Sequence, residues 1–205
     1  MIAIIGEKGS MCQVYDDQGV VRPSTEIKVT GCTVVARRTV ATHGYEAIQL
    51  GAGKPSKATL TKPYAGHFKK VGLEPAGVLR EVRVEKSDEY QVGQKLGVEL
   101  FQPGDKVAVV GTTKGRGFAG GVRRWGWHGG PATHGSMTHR RIGSIGSGTS
   151  PGRVLPGRTM PGHYGVERVT IRNLRVVKDE PEKGLLYVRG AVPGHKGSVV
   201  MVRKG

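Results

Sequence analysis

The sequence predicts a mostly β protein that carries one long basic loop. Short runs rich in Val, Ile and Thr are divided by Gly and Pro, the composition of strands and tight turns. No long segment places apolar residues at i, i+3, i+4 and i+7, so no long amphipathic helix is expected. Between Asp105 and Glu167 the chain contains no acid at all and is crowded with Gly, Arg and His, which suits neither strand nor helix.

In order, Met1 to Ile5 and Met11 to Tyr15 predict short strands, and Asp16 to Gly19 a turn leading to Val20 and Val21. Glu26 to Thr30, Thr33 to Val40 and Tyr45 to Leu50 continue the strand pattern. It breaks at Gly51 to Pro63, a polar basic loop opening a surface insertion over 51–75. Within the insertion, Tyr64 to Val71 predicts one or two helical turns closed by Gly72. Lys54, Lys57, Lys62, His67, Lys69 and Lys70 gather there, either as a solvated excursion or as a secondary phosphate-contacting surface. Strands return at Val78 to Lys86, where Leu79, Val82 and Val84 are expected to face a core. Lys95 to Phe101 and Lys106 to Val110 follow, and beyond the long loop come Glu167 to Lys178, Leu185 to Val192 and Ser198 to Arg203. Many short strands with Gly and Pro turns predict a closed or nearly closed antiparallel barrel, the long loop leaving one strand and returning to another. No period of 20–50 residues repeats, which sets aside solenoids and propellers.

At 205 residues the chain makes one large domain or two small ones. It holds 32 Lys plus Arg against 16 Asp plus Glu, a formal charge of +16. Self-repulsion at that charge disfavours an isolated compact state and points to a polyanion partner. A membrane fits poorly, because no run approaches the roughly 18 apolar residues of a spanning helix and the basic loop has no amphipathic helical face. Cys12 and Cys32 form no CxxC pair, so the expectation is two free thiols in a reducing cytoplasm. The apolar run at the start is too short for a signal peptide.

The segment 111–165 has too few aliphatic side chains to offset the roughly 1–2 kcal/mol per residue that ordering its backbone costs. A plain disordered loop is one reading, but both tryptophans and a regular beat of Gly and Pro favour a loop that takes shape on a polyanion. Lys114, Arg116, Arg123, Arg124, Arg140, Arg141, Arg153 and Arg158 supply phosphate partners. Trp125, Trp127, His128, His134, His139 and His163 supply rings to stack on bases or sugars. Irregular loops suit the pockets of folded RNA better than duplex DNA, which is usually read by a helix or ribbon in the major groove.

Enzyme signatures fail in this stretch. Gly115 to Gly120 matches GxGxxG after an apolar strand, yet neither a following helix nor an acid about 20 residues on is expected. His128, His134 and His139 lack HExxH spacing and a nearby carboxylate, so no metal is expected. No paired carboxylates or Cys-His arrangement emerges, and the chain is expected to be no enzyme and to need no cofactor or small-molecule substrate.

The segments GTTKGRGFAGGVRRW (111–125), HGSMTHRRIGSIGSGTSPGRVLPGRTMPGHYGVERVTIRNLRVV (134–177), RGAVPG (189–194) and KPYAGHFKKVG (62–72) closely resemble the bacterial family of large-subunit ribosomal protein three. The resemblance implies a six-stranded Greek-key barrel of the translation-protein type, formed by 1–110 and 166–205, with 111–165 as an extended loop penetrating rRNA. It implies binding to 23S rRNA near its 3′ end, a part in early subunit assembly, and a loop directed toward the peptidyl transferase centre. Neighbouring large-subunit proteins fourteen and nineteen are the implied protein partners, and the ribosome of the cytoplasm the implied location. By family position Lys114, Arg116, Arg123, Arg124 and Trp125 lie on the ascending arm. His134, His139, Arg140 and Arg141 lie further in, Ser144 to Pro151 near the tip, and Arg153 and Arg158 on the returning arm. The chain departs from the family at Gly6 to Cys12, where GxKxGMT is altered, at Trp125-Gly126-Trp127, where Trp-Asn-Phe is usual, and at Ser147-Gly148-Thr149, where the methylated glutamine of some members is missing. The competing reading is an RNA chaperone or transient assembly factor on the same barrel.

Overall fold

The computed structural model describes residues 3–16 and 18–204, and Met1, Ile2 and Asp17 of the expected first strand and turn lie outside the described residues. The chain divides into two compact units, one running to Thr113 and resuming at Arg168, the other spanning Lys114–Glu167.

The first unit opens with a hairpin of β1 (Ala3–Tyr15) and β2 (Val21–Lys28). The two strands expected at the start are one, its ladder slipping between Lys8 and Met11. The Asp16 carboxylate fixes the turn, accepting from the Gln18 and Val20 amides at 3.1 and 2.8 Å and from Arg22 Nε at 2.8 Å. Next come β3 (Cys32–Arg38), α1 (Val40–His43), β4 (Ala47–Ala52), α2 (Lys62–Lys69), β5 (Val78–Arg83), β6 (Lys95–Leu96) and β7 (Lys106–Thr112). Val40, expected to end a strand, instead starts a single helical turn, which Gly44 closes at φ +79°. α2 begins two residues before the expected Tyr64 because Pro63 suits a first turn, and it seats the fully buried Phe68 edge-on to Tyr64 at 5.2 Å. Lys95 to Phe101 stays extended for only two residues. Val98–Leu100 coils into a tight turn that buries Val98 and Phe101 together, three residues apart.

Residues 114–167 hold β8 (Phe118–Ala119), α3 (Gly121–Trp125) and β9 (Gly162–His163), after which β10 (Arg168–Glu180), β11 (Leu185–Arg189) and β12 (Val199–Lys204) complete the first unit. Hydrogen-bonded neighbours run β1-β12-β7-β10-β11-β2 and close on themselves, every pair antiparallel. The strands before and after 114–167, β7 and β10, pair with each other. The four strands β5-β4-β3-β6 make a second sheet of their own outside that closed circuit. Alternation places Val107, Val109, Val200 and Val202 in a dry interior with Ile4, Leu186 and Val188, and Val34, Ile48, Leu50, Val82 and Phe101 extend the same core. Leu79, expected to face the core beside Val82 and Val84, is only half-buried.

Candidate nucleic-acid interface

The second unit starts as a two-stranded neck. Arg116 N–H donates to the Tyr164 carbonyl at 2.8 Å, Tyr164 N–H to the Gly117 carbonyl at 2.9 Å, and β8 continues the pairing with β9. Of the glycines that resemble a dinucleotide fingerprint, Gly115 serves this close approach and Gly117 supplies a φ of +63°. A Cβ on Gly115 would stand 2.9 Å from Val166 Cγ2, and one on Gly165 would stand 2.1 Å from the Lys114 carbonyl oxygen. A helix does follow those glycines, contrary to the sequence expectation, but α3 is only five residues long and ends at Gly126 with φ +73°. The Arg116 guanidinium lies over the Tyr164 ring at 5.0 Å.

Above the neck, the returning arm is tied to α3 by one carbonyl. Met160 O accepts from Arg124 Nη1 and from Trp125 Nε1, each at 2.9 Å, while the Arg124 guanidinium covers the Trp125 ring at 4.9 Å. Trp127 packs on Gly121 so closely that a Cβ there would lie 1.8 Å from the indole. Both indoles are therefore engaged within the arm, although Trp125 remains 47% exposed. Gly130 N–H meets the His139 carbonyl at 2.7 Å, folding the chain back again.

Further out, 131–158 has neither strand nor helix. His134, His139, Arg140, Arg141, Ser144, Arg153 and Arg158 are all exposed, as are Lys114, Arg116, Arg123, His128 and His163, whereas Arg124 and Trp127 are half-buried. Arg158 Nη2 donates to the Ser144 carbonyl, which closes a hollow of about 330 Å³ lined by Ile145, Arg153 and Leu155. Met137 and Phe118 stand 84% and 81% exposed among these cations. Guanidinium groups set beside open apolar side chains can meet phosphates and unstacked bases together.

In the insertion, Lys54, Lys57, Lys62, Lys69 and Lys70 are exposed with no ion pair among the described residues, and His67 approaches Gln49 Oε1 at 3.2 Å. Lys8, in the altered N-terminal motif, is held inward by the carbonyls of Val192 and Gly194 at 2.6 and 2.8 Å. The sequence reading passed over Lys106, Arg168, Arg172, Arg175 and Arg203, which the strands bring to one wall of the first unit. The signal was present as exposed-position arginines recurring along a strand, but the arm's denser charge masked it. Among the described residues no three His, Cys, Asp or Glu side chains converge as a metal site, and no helix is long and apolar enough to cross a membrane.

The sequence model of the family described as Ribosomal protein L3 matches residues 79–184. A Thermotoga maritima protein named Large ribosomal subunit protein uL3 is 51% identical over 203 residues, 99% of this chain and 97% of that protein. Its namesake from Pelotomaculum thermopropionicum is 50% identical over 201 residues, 98% of this chain and 95% of that protein. With near-complete coverage of both partners at half identity, the chain belongs to the ribosomal protein L3 family.

Proposed function

We propose that the chain is a structural constituent of the large ribosomal subunit that binds 23S rRNA near its 3′ end and supports early assembly. The closed circuit of six strands is read as a Greek-key barrel of the translation-protein type, docked on the rRNA, with neighbouring proteins fourteen and nineteen beside it. Residues 111–165 form the arm that runs between rRNA helices toward the peptidyl transferase centre. Lys114, Arg116, Arg123, Arg140, Arg141, Arg153 and Arg158 pair phosphates there, and the insertion at Lys54 to Lys70 adds a second contact. The observation that carries this reading is the arm itself: exposed cations, exposed apolar side chains and no acid from Lys106 to Val166. Most of the affinity comes from counterion release, so binding weakens steeply with salt. The test is stoichiometry in purified large subunits after a high-salt wash. A constituent stays at one copy per particle; a chaperone or transient factor leaves, and that result would remove the proposal.

A further inference from the structure

The wall of the first unit built from β7, β10 and β12 carries cations that make no ion pair among the described residues. Arg168 sits opposite Thr112, Arg175 opposite Lys106, and Arg203 opposite Ala108, so these side chains share the face turned away from Val107, Val109 and Val202. Lys106, Arg168, Arg172 and Arg175 are exposed and Arg203 is half-buried. None of the five makes an ion pair or side-chain hydrogen bond among the described residues. Some other cations of the same unit do find acids: Arg22 with Asp16 at 2.8 Å, Lys178 and Lys183 with Glu180 at 2.8 and 3.0 Å, and Lys204 with Asp105. Arg175 directly across from Lys106 is a like-charge cross-strand pair, which is destabilising unless an anion lies over it.

The wall ends in a cleft of about 430 Å³ between Arg80 and Arg168, floored by Val110, Val199 and Met201. Glu81 on its rim is already held by the Tyr45 hydroxyl and lies 3.7 Å from Arg38. From Arg168 to Arg175 the row of arginines is about 20 Å long at strand rise, enough to follow a phosphate backbone for several nucleotides. The apolar floor beside two guanidinium groups suits the sugar and base of an unstacked nucleotide at the end of that row.

We infer that this wall is a backbone-tracking rRNA surface separate from the arm, with the Arg80–Arg168 cleft as its nucleotide pocket. The inference rests on the proposed ribosomal role and names a contact that role does not specify. A protein partner fits less well, because a row of three arginines flanked by Lys106 and Arg203, none in an ion pair among the described residues, matches a regular polyanion.

The test is binding of the full-length chain to a 23S rRNA transcript across a salt series. It compares the parent with Arg168→Gln/Arg172→Gln/Arg175→Gln and, separately, with Arg140→Gln/Arg141→Gln in the arm. Removing three phosphate contacts should reduce the slope of log affinity against log salt by roughly 2–3. The thermal midpoint of the free triple variant should be unchanged or higher, since the repulsion at Lys106 is relieved. An unchanged slope in a folded triple variant would assign the wall to an acidic protein and overturn the inference. So would a lowered midpoint, which would make the arginines structural. A silent arm variant beside an affected wall variant would count against the proposed arm and leave the wall standing.

Discussion

Gly121→Ala tests whether the base of the arm is built before any RNA arrives. The added methyl would lie 1.8, 1.9 and 2.3 Å from three carbons of the Trp127 ring. Carbon atoms pack at about 3.5–4.0 Å, so the conflict is on the order of 2 Å. That exceeds what neighbouring atoms absorb by small shifts, and the ring has to leave. Overpacking of this kind costs about 1–3 kcal/mol, which lowers the population of the packed base by roughly five- to 150-fold. The assay is tryptophan emission of the free protein, which reports on the arm alone because Trp125 and Trp127 are the two tryptophans of the chain. Emission should shift to the red and quenching by a soluble quencher should rise. Gly120→Ala is the control, since a Cβ there meets nothing within 4 Å. Identical spectra for Gly121→Ala and the parent would mean that Trp127 does not rest on Gly121, and the idea of a prebuilt base would fall.

The two neighbouring arginines of α3 should separate by role. Arg123 is exposed, so Arg123→Gln should lower the salt slope of rRNA binding by about 0.7–0.9 with no change in emission. Arg124→Gln removes the bond to Met160 O and the cover over Trp125, so its main effect should be spectral; a reversed pattern would refute the assignment. Amide hydrogen exchange on the free chain should show protection at Arg116, Arg124 and Tyr164, whose amides donate within the arm, and little across 142–158. Uniform exchange along the arm would contradict this. The Asp105 carboxyl is held below the usual aspartate range by the Gln102 amide and then by Lys204. A lowered folded pKa gives stability that is present above the unfolded value and is lost as pH falls through the folded one. The thermal midpoint of Asp105→Asn should therefore trail the parent at neutral pH, and the gap should close on acidification below the ordinary aspartate range. A gap independent of pH would show that the carboxylate charge is not what matters.

How much of this was legible in the sequence follows from which interactions are local. Strands such as Lys106–Thr112 and Val199–Lys204 are visible because Val at alternate positions declares a face whatever the partner is. Partner choice is not local. Nothing in Cys32–Arg38 or Ala47–Ala52 says that they pair into a separate sheet, since that depends on contacts with strands distant in sequence. The same holds within the arm. Its lack of acid and its crowding of Arg, His and Gly pointed directly to a polyanion, but composition could not separate cations that face outward from those that hold the arm together. Arg123 and Arg124 are chemically identical and adjacent, and a carbonyl 36 residues further along the chain, at Met160, engages one and leaves the other exposed. Glycine misleads in the same way. Gly115 looks like part of a phosphate cradle because both uses need backbone without a Cβ, but its partner here is Val166 on the returning chain; Gly117 instead supplies a φ of +63°. The wall cations were overlooked for a related reason. In Arg168–Glu180 the arginines alternate with Val, Ile and Leu as they would on any solvated strand, and only the absence of acids on the paired strands sets them apart. Five cations gathered on one face with no ion pair among the described residues, two of them directly opposed across the strands, make a surface suited to an anion that those residues do not supply.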